Sequence, residues 1–415
     1  MKRRIAIIGY GSAGQCAAVL LERDGHHVEV FERVPAPGPV GAGFLLQPSG
    51  LQVLWRMGLL EAVLAHGAPV ERLYGETAAG RAVMDMRYAG LDPRLVGVGL
   101  QRGALFSILA GAFAGHGQVR GGTAIAALED EGRVLVDGAG RRHGPYDLVV
   151  VADGADSLLR GQVGRVRRDR PYPWGALWCL LPAAGWPHLR ELRQRYAAAR
   201  RMVGLLPVGT RPGEEVARLG FFWSLPIAQF DRWHADGVDA WKSSVLDLWP
   251  EVEPLLSGLC EPAQLARAGY RDSVLARWHR GRAVLVGDAA HAMSPQLGQG
   301  VNMALLDAMA LADALRTRGD VHDALAAFER GRRRHVAIYQ LWSRWLTPMF
   351  QSELDMVARL RDLGLGPVGR LPLARMHMLR VLGGTQQGLF GRLALDEAFV
   401  EALARGTARQ VQGGQ

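Results

Sequence analysis

The chain has 415 residues, 49% hydrophobic and 21% charged, enough apolar material for a large core in two or three domains and too ordinary a balance for wholesale disorder. No apolar run approaches the roughly 18–20 residues a membrane helix needs, and the basic start meets only about four apolar residues before Gly9, too few for a signal peptide. The formal charge of +9 is almost wholly arginine, with Lys2 and Lys242 the only lysines, and the arginines are spread without an aromatic platform, which points away from nucleic acid.

In chain order, Ile5–Ile8 is a short apolar run bounded by Gly9, the pattern of a buried parallel strand. A helix is expected over Gly14–Arg23, then a strand over His27–Phe31 that ends in Glu32. Strand, glycine turn, helix, strand and acid in about 30 residues form a βαβ unit. A Gly/Pro segment, Gly41–Gly50, leads to a helix over Leu51–Met57. Residues Leu73–Gly99 turn irregular and strand-like, Arg102 opens a helix through Leu109, and Val134–Val136 and Leu148–Ala152 are strands.

From about Arg165 to Asp272 the pattern changes to longer strands rich in Trp and Phe, at Trp174–Leu181, Met202–Pro207 and Val216–Leu225, followed by a helix over Asp239–Trp249. Strand Ala283–Val286 returns to the first domain. Apolar positions from Val301 to Leu315 recur at helical spacing. An Arg-rich helix is expected from Ala324 to about Leu363, broken by Gly364-Leu-Gly-Pro367, with one more helix at Leu371–Val381. Three widely spaced cysteines, Cys16, Cys179 and Cys260, have no metal-ligand spacing and fit a reduced cytoplasmic protein with no metal site.

Three motifs carry chemistry. In Gly9-Tyr-Gly11-Ser12-Ala13-Gly14 the glycines permit a tight turn, approach of a pyrophosphate to helix amides, and close helix–strand packing. Glu32, 23 residues after Gly9, can accept both hydroxyls of an adenosine ribose, which disfavours a 2′-phosphate. Asp153-Gly154 closes a hydrophobic strand. Asp288 ends another, where it can bond a ribityl hydroxyl or a phosphate-bridging water. Pro295 to Gly300, with Gly298 between, then form a loop whose glycines let the backbone approach a flat ligand, and the Val301–Leu315 helix, beginning beside Gly300 with Val301 and Asn302, would aim its N-terminus at that ligand's edge. That geometry suits the pyrimidine edge of a reduced isoalloxazine. A cofactor gripped at three distant points is long, and FAD fits. His291 and Pro295 are the only candidates for a catalytic group, and a lone histidine with no placed partner is more often structural.

In this order the motifs resemble the class A flavoprotein monooxygenases, the para-hydroxybenzoate hydroxylase-like aromatic hydroxylases. Gly41–Gly50 with Gln47, Arg102 and the long C-terminal helix match as well, so the likeness spans roughly residues 1–345. It implies one FAD and reduction by NADH or NADPH. Oxygen then gives a C4a-hydroperoxide that hydroxylates an aromatic or polycyclic small molecule. By position it assigns Glu32, Arg33 and Arg102 to the adenosine and pyrophosphate, Asp288 to the ribityl–phosphate region, and Pro295 with Gly298–Asn302 to the flavin ring. Asp153 falls where the family touches the pyrophosphate and the nicotinamide donor. Tyr10 departs from the small residue common in that turn.

The fold class expected is α/β: a Rossmann-like FAD-binding domain (1–72, 100–164 and 273–335) interleaved with a mixed β-sheet substrate domain (73–99 and 165–272), plus long C-terminal helices (336–415). The reagent belongs to the cofactor, so the protein supplies positioning and a dry pocket. Candidate walls are Trp178, Leu206, Phe221 and Trp223, although alternation does not say which face sees the flavin. A prenyl-chain reductase or an epoxidase or Baeyer–Villiger oxygenase remains open on the same scaffold. A halogenase needs a lysine near the substrate, where the N-terminal third offers only Lys2 at the approach to the first strand and no WxWxIP segment follows; a plain dehydrogenase leaves the third motif without purpose, and a non-enzymatic flavin sensor needs no substrate domain. Arginines 330, 332, 333, 334 and 344 beside Trp342, Trp345 and Met349 also read as a peripheral membrane helix, against the commoner alternative of packing across the flavin domain.

Overall fold

Ile5, Ala6 and Ile7 are fully buried, as are Leu148–Val151, because both runs lie in the middle of one parallel sheet covered on its two faces. That sheet runs, edge to edge, Val119–Arg120, His27–Phe31, Arg4–Ile8, Leu148–Val151, Ala283–Leu285 and His279–Arg280. All neighbours are parallel except the last pair. The computed structural model describes residues 2–38, 41–115 and 118–413. The segment boundaries expected at 1–72, 100–164 and 336–415 therefore include positions (1, 39–40, 116–117, 414–415) outside the described residues.

Helix Ser12–Arg23 buries nine consecutive residues, Ala13–Leu21, between this sheet and helix Gly300–Thr317. Small residues make that possible: Ala13, Ala17 and Ala18 let the helix lie close, and each large aliphatic residue removed from water stabilises by about 1.5–3 kcal/mol. A small antiparallel sheet, Gly43–Leu46, Gly97–Gln101 and Ala68–Val70, joins this unit to a second.

The second unit is a seven-stranded sheet in the order Ala266–Arg277, Arg165–Pro182, Arg218–Pro226, Arg201–Gly209, Glu191–Ala197, Arg72–Thr77, Ala82–Arg87. It is antiparallel except where 191–197 meets 72–77. Thus residues 72–87 join the large sheet, while Gly97–Gln101 pairs with Gly43–Leu46. Period-two alternation gives its strands two distinct apolar faces. Leu177, Cys179, Val203, Leu205, Leu219, Phe221 and Trp223 pack with helix Phe230–Leu246 in one cluster. The opposite face carries Trp178, Met202, Leu206 and Phe222.

The tail departs from expectation. The single helix expected from Ala324 to about Leu363 is two, Val321–Phe350 and Asp355–Val368. Pro348 lies in the last turn of the first, where its ring removes an amide donor and crowds the preceding carbonyl. The chain turns out at Gln351 (φ −139°, ψ 77°), and Ser352 N instead bonds Ala199 O at 3.0 Å. The break expected at Gly364–Pro367 is absent. There the helix is held by Leu365, which packs against the cluster of Val83, Tyr196, Met202, Phe222 and Phe350, and Pro367 falls in its last turn. The last turn of helix Pro372–Leu382 (Leu379, Val381, Leu382) and, beyond it, Phe399, Val400 and Leu403 enter the core of the first unit. A terminal helix, Glu397–Gly413, was not apparent from the sequence.

Candidate active site

The three glycine motifs meet at the C-terminal ends of neighbouring parallel strands, the usual place for a ligand in an open α/β sheet. Gly9 adopts φ +101°, and a Cβ there would lie 2.4 Å from Ala152 O, the residue that precedes Asp153. A Cβ at Gly14 would lie 2.0 Å from Gly9 O. Close packing therefore excludes side chains at both. By contrast nothing lies within 4 Å of a Cβ built at Gly11, Gly154 or Gly298, so these three border open space.

Glu32 accepts from Tyr10 N at 2.8 Å and from Val34 N at 2.9 Å, which holds its carboxylate beside the first turn. Tyr10, the departure noted above, turns its ring inward: it is 6% exposed and meets Phe106 edge-on at 5.8 Å. The turn is left clear. Arg102 leans across Gly41, where a Cβ would fall 2.8 Å from Arg102 Cδ, and its head is exposed at the same opening. Arg33 is exposed next to Glu32.

Asp153 is half-buried, burial raises its carboxyl above the usual range, and Ser157 partly offsets that. Its Oδ1 has no hydrogen-bond partner among the described residues. Asp288 opens the short helix Asp288–His291, and its carboxylate lies 3.9 Å from a Cβ built at Gly300. Pro295 starts a 3-10 turn capped by Ser294, and Gly298 closes it in the left-handed region at φ +62°. Helix Gly300–Thr317 follows with no side chain capping its first turn. Gln47 N bonds Asn302 Oδ1 at 2.9 Å, and Asn302 Nδ2 reaches Leu45 O and Gly298 O at 3.2 Å each. Gln47 is 1% exposed, its Oε1 accepts from Tyr88 Oη at 2.5 Å, and its Nε2 has no partner among the described residues. Buried polar groups are normally satisfied. Unpartnered Asp153 Oδ1 and Gln47 Nε2, together with glycines facing open space, fit a polar ligand that enters this seam, as FAD would.

Three residues of the expected set, His291, Phe221 and Trp223, behave otherwise. His291 is not without a partner: its Nε2 lies 2.6 Å from Asp307 Oδ2, and Arg332 Nε lies 2.7 Å from Asp307 Oδ1. His291 is 1% exposed against Trp278. Asp307, fully buried, is held far below the usual carboxylate range by His291 and Arg332, against the opposing effect of burial. This chain continues from Arg332 to His335 and on to Gly384 O, a brace beneath the site. The second correction concerns the pocket walls. Phe221 and Trp223 point away, into the cluster with helix Phe230–Leu246, where Phe221 meets Trp241 edge-on at 5.5 Å. Trp178 and Leu206 occupy the other face with Phe222, which sits 5.1 Å from Trp178. Odd and even positions of one strand cannot share a face, so 221 and 223 exclude themselves once 222 faces inward.

Four residues at or beside the site escaped the sequence reading. Arg160, 2% exposed, donates to Ala155 O (2.6 Å), Asp288 O (3.0 Å) and Ala289 O (2.8 Å) and pairs with Asp169 on the large sheet at 3.1 Å. One guanidinium thus ties two motifs and both units together. Its only local signal was a charge after Leu158-Leu159, three residues past Ser157. Tyr88, Asp307 and Tyr270, which accepts from Trp178 Nε1 at 3.2 Å, gave none.

The FAD binding domain family matches residues 2–338. Kynurenine 3-monooxygenase of Salinispora tropica is 29% identical over 426 aligned positions, covering 97% of this chain and 91% of that protein. The FAD-dependent urate hydroxylase of Klebsiella oxytoca is 28% identical over 347, covering 79% and 85%. Among solved structures, Klebsiella pneumoniae HpxO complexed with FAD and uric acid superimposes with TM-score 0.77 at 23% identity, over 92% of this chain and 97% of that one.

Proposed function

The chain belongs to the FAD binding domain family and is a flavoprotein monooxygenase of the class A type, and from that premise we propose that it hydroxylates an aromatic or polycyclic small molecule at the expense of NADH or NADPH. When bound, FAD would supply the redox chemistry of hydride acceptance and oxygen activation. The residues supply the rest. Amides at Gly11, Ser12 and Ala13 receive the pyrophosphate at the helix N-terminus, with Arg102 adding charge from the opening and Arg33 beside it. Glu32 accepts the adenosine ribose hydroxyls. Asp153 and Asp288 stand at the phosphate and ribityl region. Gln47 Nε2 would offer the cofactor a further donor. The uncapped amides at Gly300, Val301 and Asn302 stabilise negative charge on its pyrimidine edge, with Pro295 and Gly298 shaping the loop.

Substrate is proposed to lie between this seam and the inward face of the large sheet. There Trp178, Phe222 and Leu206 offer flat apolar contact, and Gly204 leaves Phe222 room to lie flat, a Cβ there falling 2.1 Å from its ring. Burial raises Tyr270 to about 12, which keeps its hydroxyl protonated as a donor near Trp178. Catalysis by a side chain is not required of this set, and His291 is read as structural.

The observation that carries the reading is the pair of unpartnered buried groups, Asp153 Oδ1 and Gln47 Nε2, on one seam lined by glycines with open space beside them. Anaerobic mixing of the yellow protein with NADH and with NADPH, with and without a panel of aromatic acids, quinolones and purines, tests it. Faster flavin bleaching with one class, and oxygen uptake coupled to a hydroxylated product, is the expected result. A protein that purifies colourless and takes up no FAD, or bleaching that yields a hydrogenated product without oxygen uptake, overturns it.

A further inference from the structure

The Arg-rich tail is not consumed by the flavin site. Of seventeen large apolar side chains exposed among the described residues, twelve fall between positions 341 and 390, where an even spread would place about two. They lie on consecutive helices. On Val321–Phe350, Leu341 is 52% and Trp345 63% exposed. On Asp355–Val368 the outward face carries Met356 at 75%, Leu360 at 64% and Leu363 at 58%. Positions 356, 360 and 363 form a single helical stripe, while Ala358, Arg361 and Leu365 face inward. Leu371 and Leu373, the latter 89% exposed, continue it into Pro372–Leu382. The helices are fastened to one another by Arg361 Nη1 to Met349 O at 2.8 Å and by Trp342 Nε1 to His377 Nε2 at 3.1 Å.

Charge accompanies the apolar surface. Residues 330–380 contain ten arginines and three acids, so this stretch holds +7 of the chain's +9. Arg332, Arg344 and Arg361 are consumed internally. Arg334, Arg359, Arg370 and Arg375 are exposed and have no ion pair among the described residues within 4.0 Å. Beside the stripe a cleft of about 460 Å³ is lined by Arg200, Arg201 and Arg359 together with Asp355 and Asp362; both acids are already paired, with Arg200 and Arg361. No helix among the described residues is long and apolar enough to cross a bilayer, so any contact is with the surface. Exposed Leu, Met and Trp beside unpaired arginines match the chemistry of an anionic phospholipid interface, where apolar side chains enter the acyl boundary and cations meet headgroups. A second copy of the same face would bring like charges together.

We propose that the helices between Leu341 and Met376 dock this enzyme on anionic membrane surfaces. The contact goes beyond the proposed hydroxylation and does not depend on it, since binding is read without turnover. The test is flotation of the FAD-loaded full chain with phosphatidylglycerol–phosphatidylcholine vesicles and with phosphatidylcholine vesicles, at low and high salt, alongside sedimentation velocity. Expected is binding to the anionic vesicles that weakens with salt. The double variant Leu360→Glu/Leu363→Glu should lose it at least about tenfold, and Arg359→Gln, Arg370→Gln and Arg375→Gln should each weaken it by about fivefold. All should retain stoichiometric flavin, because every altered side chain is exposed. No flotation, equal flotation on both vesicle types, or a wild-type dimer that the double variant dissociates overturns the proposal, the last by assigning this face to self-association.

Discussion

The two faces of the seven-stranded sheet are made by the same strands and do opposite things. The face toward helix Phe230–Leu246 is self-complete: Leu177, Val203, Phe221 and Trp223 interlock with Trp233 and Trp241, and its orphan polar atoms are indole nitrogens. The face toward the glycine seam is sparer, with Gly204, Gly220 and Ser224 between Trp178 and Phe222. Beside it Tyr172 Oη, Gln296 Nε2, Ser343 Oγ and Gln351 Oε1 are buried without hydrogen-bond partners among the described residues. One side is closed by its own side chains, and the other leaves buried polar atoms that a ligand would satisfy. Stability and binding should therefore separate when the two sides are altered.

The largest effect is expected on the closed side. Trp223→Ala empties a dry aromatic cluster and should lower unfolding stability by about 3–5 kcal/mol, read by urea denaturation, while flavin content at low temperature stays near one per chain. Equal loss of flavin would erase the distinction. Next, Arg160→Met removes the guanidinium that ties the two units together and strands three carbonyls, while Asp169 keeps Arg271 and Ser273. A loss of about 3 kcal/mol should come with weaker FAD binding in fluorescence titration, because Arg160 holds the Asp153 and Asp288 turns together.

The brace beneath the seam gives a pH signature. Burial, reinforced by Arg332, lowers His335 to about 3, so between that value and about 6.5 the unfolded chain holds a proton that the folded one does not. The stability from this site is complete above about 6.5 and falls as pH drops toward 3, by at most about 1.4 kcal/mol per unit, or about 2 kcal/mol from pH 6.5 to 5. His335→Gln should flatten that slope in denaturation midpoints measured across the range. The smallest effect belongs to the seam itself. Asp153→Asn removes a half-buried charge and should weaken FAD binding by about 1 kcal/mol with stability unchanged or slightly higher, as expected of a group kept for a ligand.

Much of the first unit was legible because its signals are local. Gly9, Gly14 and Glu32 sit in one βαβ unit whose turn, helix and acid follow from spacing alone, and the strands at 148–151 and 283–285 announce themselves as uninterrupted apolar runs. The tail was misread for the same local reason. Gly364-Leu-Gly-Pro367 has the residues of a breaker and Gln351–Leu354 does not, yet packing of Leu365 kept the first helical and the bond from Ser352 to Ala199 opened the second.

The amino-acid sequence by itself determined the family scaffold, the glycine turns and the alternating strands of the large sheet, because each follows from backbone sterics and from neighbours a few residues apart. Only the tertiary structure decided which side of that sheet Phe221 and Phe222 take, that Asp307 partners His291, and that Arg160 reaches Asp288, 128 positions away in the chain. Those outcomes depend on long-range contacts that bury polar and aromatic groups together, and no periodicity in a single chain encodes which distant partner will be there.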